Sequence, residues 1–134
     1  MFDRKSKGKG LIFIVEDNAA YAKVLGIFLA DEFPEAKIKI YPVGEVCIDN
    51  LHHNPDAIII DYELNSKYYD AADGLEIVRE IRSKKPEVNI ILLSAQENVQ
   101  VAVAAIEETK SHYVPKGGDA FQKVAALLKK GKLA

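Results

Sequence analysis

The sequence predicts an α/β fold in which a doubly wound parallel sheet of five strands is covered by helices. Short apolar segments alternate with amphipathic segments along the chain, and parallel strands need such crossover helices. The chain has 134 residues, the size of one domain, and 49% of them are hydrophobic, which is enough for a single core. It contains no internal repeat and no linker.

The predicted elements begin with a buried strand and a helix. Leu11–Val15 is a continuous apolar run, the pattern of a strand covered on both faces. Asn18 is a suitable N-cap for a helix that ends before Pro34. The apolar positions expected along this helix are Tyr21, Val24, Leu25, Phe28 and Leu29.

The next segments predict an edge strand, a short helix and a central strand. Apolar and basic residues alternate in Ala36–Tyr41, so we expect a half-covered strand near an edge of the sheet. Val43–His53 predicts a short helix with an apolar side that includes Val46 and Cys47. Asp56–Asp61 is a strongly apolar third strand that ends in an acid.

The second half of the chain predicts three further helices and two further strands. They follow a long polar stretch that ends at Asp73. In order, they are helix Gly74–Arg82, strand Asn89–Leu93, helix Gln96–Glu108, strand Ser111–Val114 and helix Gly118–Lys130.

The sequence also predicts the bounds of the folded domain, and its composition gives no support to some classes of partner and location. We expect residues 1–10 to be a flexible basic arm, 11–130 the folded domain and 131–134 a tail. The formal charge is −2, which gives no global reason to expect direct nucleic-acid or membrane binding. The single cysteine, Cys47, is expected in the core and fits a reducing compartment. No apolar run has transmembrane length and the start of the chain is polar, so a cytoplasmic location is expected.

Polar side chains follow the strands where ligands bind in open parallel sheets, beyond the carboxyl ends. Strand one is followed by Glu16 and Asp17, strand three ends in Asp61, strand four in Ser94, and strand five runs into Lys116. Three neighbouring carboxylates repel one another, so a cation must compensate. Lys116 is one such cation, and Mg²⁺, which prefers a few carboxylates, is another. The plainer interpretation is that these residues only cap helices and solvate strand ends.

This set of residues resembles the receiver domains of two-component response regulators. The resemblance covers about Leu11 to Leu128, and the aspartate, aspartate, serine and lysine positions are 44, 33 and 22 residues apart. It implies a flavodoxin-like fold, similar to the chemotaxis receiver, with strand order 2-1-3-4-5. The motifs that carry it are Glu16-Asp17, Asp61, Ser94-Ala95 and Tyr113-Val114-Pro115-Lys116.

The resemblance implies a phosphorylation site. Asp61 would be the phosphoacceptor, supplied by a phosphohistidine on a sensor histidine kinase or a histidine phosphotransfer protein. Lys116 would pair with Asp61 and then with a phosphoryl oxygen. Mg²⁺ would be bound by Asp17 directly, by Glu16 through water, by Asp61, and by the backbone carbonyl of Glu63.

The resemblance also implies a switch. The Ser94 hydroxyl would move to the phosphoryl group beside the Ala95 N–H, and Tyr113 would then turn inward. The output would be contact with a downstream protein through helix four, strand five and helix five. The domain would be a signalling domain, not an enzyme, although it would assist its own phosphorylation and dephosphorylation.

Several positions depart from the family pattern, among them Thr109-Lys110, where a glycine is usual before the fifth strand. Leu64-Asn65 stands where a Met-Pro pair is usual, and Asp73-Gly74 comes about five residues late. The resulting insertion, 65–73, is either an exposed loop or a lid over the phosphorylation site. Gly117 follows the lysine where the family often has a proline joined by a cis bond, a geometry that costs about 2.5–4 kcal/mol before other residues.

Two other functions stay open at this point. One is a binding module of the same fold that no longer uses phosphorylation, which the altered loop favours and the intact acid, serine and lysine set disfavours. The other is an aspartate-nucleophile phosphatase of the haloacid dehalogenase type. That chemistry needs an acid two residues after the nucleophile, where Glu63 stands.

Overall fold

The structure is a computed structural model that describes residues 10–62, 74–95, 103 and 106–131. Several predictions fall on other residues and therefore lie outside the described part of the chain. These are residues 1–9 of the arm predicted over 1–10, Glu63, the insertion 65–73, most of the helix predicted over 96–108, and residues 132–134 of the tail predicted over 131–134.

Five parallel strands form one sheet in the order β2-β1-β3-β4-β5, which confirms the predicted fold class and strand order. Their bounds agree with the predicted ones within one residue. The edge position expected for the second strand is also confirmed, since Ile40 on this strand is 44% exposed. The strands are β1 (Gly10–Val15), β2 (Ala36–Tyr41), β3 (Ala57–Asp61), β4 (Asn89–Ser94) and β5 (His112–Pro115).

Helices connect the strands. They are α1 (Ala19–Glu32), α2 (Gly44–Asp49), α3 (Gly74–Lys84), α4, whose described residues are 103 and 106–109, and α5 (Ala120–Lys130). Asn18 caps α1 as predicted, because its Oδ1 accepts a hydrogen bond from the Tyr21 backbone N–H at 3.0 Å. None of the helices in the described ranges is long and apolar enough to cross a membrane.

The single helix predicted over Val43–His53 is wrong, because the segment divides at Asn50. The Asn50 Nδ2 donates to the Val46 carbonyl at 2.8 Å, taking the acceptor that an α-helix would give to the Asn50 backbone N–H. That N–H bonds to the Cys47 carbonyl instead, at 2.9 Å. The chain continues as a 3₁₀ turn over Leu51–His53.

The core consists of two apolar layers, one on each face of the sheet. Alternate residues of β1 belong to different layers, since Ile12 and Ile14 face α1 and α5 while Phe13 and Val15 face α2 and α3. Cys47 is fully buried, as expected, and burial raises the pKa of its thiol to about 12.

Two predicted core positions are wrong. Val24 is 54% exposed and Val46 is 40% exposed. On α1 the buried side follows a helical period, so Val24 falls on the opposite side of the helix. Small residues occupy half of that stripe and give a weak apolar signal in the sequence. Its members are Ala22, Leu25, Gly26 and Leu29.

Candidate functional site

Three carboxylates meet at the carboxyl end of the sheet. Strands β1 and β3 are neighbours with Val15 opposite Ile60, so the residues that follow, Glu16 and Asp61, come side by side. The carboxylate oxygens of Glu16, Asp17 and Asp61 that could serve as ligands all lie within 4.8 Å of one another. Glu16 and Asp61 are 3% and 5% exposed, so their charges are largely removed from water.

Backbone pairing places the residues that follow the strands. The Glu16 N–H donates to the Tyr41 carbonyl of β2 at 3.0 Å, which extends the ladder by one residue and directs the side chain to the sheet edge. The Lys116 N–H donates in the same way to the Ser94 carbonyl of β4 at 2.9 Å. The site is therefore built on strand ends, which hold groups more rigidly than loops do.

Lys116 supplies positive charge to this cluster. Its Nζ lies 3.1 Å from Glu16 Oε1 and 3.6 Å from Asp61 Oδ1. Burial alone would lower the pKa of the ammonium, but the carboxylates of Asp61 and Glu16 outweigh burial and raise it. The lysine therefore remains charged, and among the described residues it contacts two of the three clustered carboxylates.

The cluster fits a divalent cation. Glu16 Oε2 accepts a hydrogen bond from the Asn18 N–H at 3.1 Å, and Glu16 Oε1 is buried and lies 3.1 Å from the Lys116 ammonium. Buried charge is unfavourable unless it is compensated, and the single positive charge of Lys116 is less than the negative charge of the three clustered carboxylates. The set consists of hard carboxylate oxygens with an excess of negative charge, and Mg²⁺ prefers such ligands. Glu16, Asp17 and Asp61 are the described residues that could bind it.

The predicted switch residues occupy the neighbouring strands. Ser94 is the last residue of β4, is 1% exposed, and pairs in register with Pro115 of β5. Ala95 follows it and is exposed. Tyr113 is half-buried on β5 and packs against the layer that contains Phe13.

One residue at this site was missed from the sequence, where Tyr21 is only an apolar helix position. In the structure, Lys116 Nζ lies 4.5 Å from the centroid of the Tyr21 ring. A signal was available, since Tyr21 lies four residues after Asp17, in the first turn of the helix that begins at the site.

The chain matches the family model of the response regulator receiver domain over residues 12–128. The match spans nearly all of the folded region, and the sheet order and strand-end residues described above agree with it. The chain therefore belongs to the response regulator receiver domain family, and it is a signalling domain of a two-component system.

Curated relatives are response regulators. The chain is 26% identical over 131 residues to the photosynthetic apparatus regulatory protein RegA of Rhodobacter capsulatus, covering 98% of this chain and 67% of that protein. It is 28% identical over 106 residues to the response regulator MprA of Mycobacterium sp. (strain KMS), covering 78% of this chain and 43% of that protein. The chain thus spans about two thirds of the first relative and less than half of the second.

Solved structures share the fold. The response regulator protein TrrA from Thermotoga maritima, solved in complex with Mg²⁺-BeF, superimposes with a TM-score of 0.75 at 27% identity. The superposition covers 91% of this chain and 98% of TrrA.

Proposed function

We propose that this receiver domain accepts a phosphoryl group on Asp61 in a Mg²⁺-dependent reaction and thereby switches a protein–protein interaction surface. The observation that carries the proposal is the position of the Asp61 carboxylate. It is buried at the end of a central strand, 3.6 Å from the Lys116 ammonium, and it belongs to the cluster of carboxylates formed with Glu16 and Asp17.

The donor that suits this site is a phosphohistidine on a sensor histidine kinase or a histidine phosphotransfer protein. An Asp61 carboxylate oxygen attacks phosphorus, the P–N bond breaks, and its electron pair returns to the imidazole of the donor. The products are an aspartyl phosphate and a histidine. Such a transfer is accelerated mainly by positioning and by neutralising charge on the phosphoryl oxygens.

Residues of this chain would supply that neutralisation. Lys116 contributes one positive charge beside Asp61, and the Ser94 hydroxyl with the Ala95 N–H would donate hydrogen bonds to the phosphoryl oxygens. Mg²⁺, when bound, would contribute two further charges. TrrA was solved with Mg²⁺-BeF, and this combination of a divalent cation and an anionic fluoride supports a site of the same chemistry here.

The output proposed for the switch is contact with a downstream protein through α4, β5 and α5. Tyr113 lies on β5, in the middle of that face, and pairs in register with Leu92, two residues before Ser94. A change at Ser94 can therefore reach Tyr113 across one pair of strands. We place this exchange in the cytoplasm, because the buried free thiol of Cys47 suits a reducing compartment.

Incubation with acetyl phosphate and Mg²⁺, followed by intact mass, tests the proposal. The wild type should gain one phosphoryl mass, whereas Asp61→Asn should gain none. The matched control is Asp56→Asn, because Asp56 lies beside the opposite end of the same strand, where its Oδ2 accepts from the Leu11 N–H at 2.8 Å. This control should be labelled like the wild type.

Other outcomes would contradict the proposal. Equal labelling of Asp61→Asn would move the site to another residue. A wild type that is never labelled would favour the phosphorylation-independent binding module. Steady turnover of a chromogenic phosphate ester would indicate the phosphatase instead.

A further inference from the structure

The ammonium of Lys116 is in contact with an aromatic ring as well as with carboxylates. Its Nζ lies 4.5 Å from the Tyr21 ring centroid, over the ring, while Glu16 Oε1 and Asp61 Oδ1 lie 3.1 and 3.6 Å away. The face of an aromatic ring carries negative potential, so it attracts a cation held at this distance. Lys116 is thus held between two anions and one ring.

The Tyr21 ring is fixed by elements other than Lys116. Its backbone N–H is bonded to the N-cap Asn18, which anchors the first turn of α1. The ring meets Phe121 of α5 edge to face, with centroids 5.6 Å apart, and Phe121 in turn contacts Phe28 at 5.5 Å. The ring is therefore a rigid surface against which a flexible side chain can rest.

The side chain of Lys116 has little other support that would fix its direction. A lysine side chain has a flexible four-carbon stem, and that of Lys116 is 20% exposed. The next two residues are Gly117 and Gly118, and a Cβ placed on either would meet no atom within 4 Å. The loop itself therefore gives the lysine little lateral support, and its direction depends on Tyr21, Glu16 and Asp61.

We propose that Tyr21 is a positioning residue that holds the Lys116 ammonium beside Asp61 and so raises the rate of Asp61 phosphorylation. The inference depends on the proposed function of Asp61. In the transfer, the ammonium must move from the Asp61 carboxylate to an oxygen of the incoming phosphoryl group. The ammonium can stay in contact with the ring face during this short movement, because the attraction between a cation and a ring is less directional than a hydrogen bond.

The Tyr21 hydroxyl adds no negative charge to the site. Burial raises its pKa, Lys116 opposes that effect, and the carboxylates of Glu16 and Asp61 raise the pKa further. The phenol therefore stays protonated at neutral pH. The ring face, rather than a phenolate, acts on the lysine, so phenylalanine should replace tyrosine at this position.

Two readouts on the wild type and on variants of Tyr21 test the inference. Proton NMR should show the ε-methylene protons of Lys116 shifted upfield by the ring current in the wild type and in Tyr21→Phe, but not in Tyr21→Leu. Lys23, exposed on α1, provides the reference shift. At saturating Mg²⁺, labelling of Asp61 by acetyl phosphate should slow by about threefold in Tyr21→Leu and stay unchanged in Tyr21→Phe.

Phe28→Leu is the matched control, because it removes a ring from the same aromatic cluster without touching Lys116. It should label at the wild-type rate. Tyr21→Met replaces Tyr21→Leu if the leucine variant fails to fold. A wild-type rate in the Tyr21→Leu or Tyr21→Met variant, or an equal slowing in Tyr21→Phe or in Phe28→Leu, would overturn the inference.

Failure of the proposed function has a different signature. A wild type that is never labelled would overturn the role of Asp61 and with it the rate effect of Tyr21. The ring-current shift of Lys116 would still be present in that case.

Discussion

Lys116 and Arg82 are two partly buried cations whose surroundings differ in kind. Lys116 faces the carboxylates of Glu16 and Asp61. The guanidinium of Arg82 donates hydrogen bonds of 2.7 to 3.3 Å to five backbone carbonyls, three in the segment that follows α3 and two at the C-terminal end of α4 and directly after it. These carbonyls are those of Lys85, Pro86, Val88, Thr109 and Lys110.

The pKa values of the two cations shift in opposite directions. Burial lowers the pKa of Arg82, because neutral carbonyls only partly replace the lost water. At Lys116 burial acts in the same direction, but the charges of Asp61 and Glu16 reverse the net effect. A cation held by fixed neutral carbonyls stabilises loops, whereas a cation held by carboxylates can follow a change in their charge. This difference supports a structural role for Arg82 and the chemical role proposed for Lys116.

The largest effect is expected from Lys116→Met. Removing the cation beside Asp61 should slow labelling by acetyl phosphate about a hundredfold, the usual magnitude for losing one group that stabilises transition-state charge. Mg²⁺ affinity should be retained, because Lys116 is not one of the proposed metal ligands. Intact mass against time measures the rate, and the control is Lys123→Met, an exposed lysine of α5. A collapse of Mg²⁺ affinity in Lys116→Met would show that its role is misassigned.

Arg82→Met should lower the stability of the protein and leave the rate of Asp61 labelling unchanged, the reverse of the effect expected for Lys116→Met. It leaves several backbone carbonyls without their charged donor, and the free energy of unfolding should fall by about 2 kcal/mol. Arg82→Lys should restore little of this loss, because an ammonium cannot reproduce the planar set of donors. Urea unfolding measures the change, and labelling of the folded variant should equal that of the wild type. Unchanged stability would contradict the structural task of Arg82.

The partners of Lys116 are carboxylates, which can bind Mg²⁺, whereas the partners of Arg82 are neutral carbonyls. Substitution of the clustered carboxylates therefore allows a finer test. Asp17→Asn should weaken Mg²⁺ binding by about tenfold, the lower end of the range for damage to a metal site. Glu16→Gln should weaken it less, since Glu16 is proposed to act through water. NMR titration with Mg²⁺ gives both affinities. The reverse order would contradict the proposed assignment of ligands.

The smallest expected effect is on stability at high pH. The pKa of Lys116 is raised above its ordinary value of 10.5. Its contribution to stability is therefore complete below that value and is lost as the pH rises through the folded-state pKa. Between about pH 9 and about pH 11 the wild type should lose more stability than Lys116→Met. Urea unfolding at the two pH values measures this difference, and equal losses would contradict the raised pKa.

The ends of the predicted strands indicate where the charged residues gather. Continuous apolar runs predicted β1, β3 and β4, and parallel pairing places the residues that follow strands at one edge of the sheet. The structure places Glu16, Asp17, Asp61 and Lys116 there. Asp61 itself needs no long-range knowledge, since it directly ends a short, fully apolar run.

Contacts between segments distant in the sequence could not be predicted from the positions of the strand ends. The carbonyl partners of Arg82 come from two segments, and those at Thr109 and Lys110 lie 27 and 28 residues away. No pattern in the sequence predicts that these two segments come together around Arg82. Tyr21 was missed for a related reason, because its apolar ring fits the helical period equally well whether it meets only the core or also a cation. The side chain of Asn50 divides a helix because it takes the carbonyl that the backbone N–H would otherwise bond. The spacing of apolar residues carries no signal of such a hydrogen bond.

The most direct test of the central claim locates the phosphoryl group itself. Wild-type protein labelled with acetyl phosphate and Mg²⁺ is treated with borohydride, which reduces an aspartyl phosphate to homoserine, and the digested peptides are sequenced by mass spectrometry. The account predicts homoserine at position 61 and unmodified aspartate at positions 17 and 56. Homoserine at position 17 or 56, with aspartate intact at 61, would contradict it.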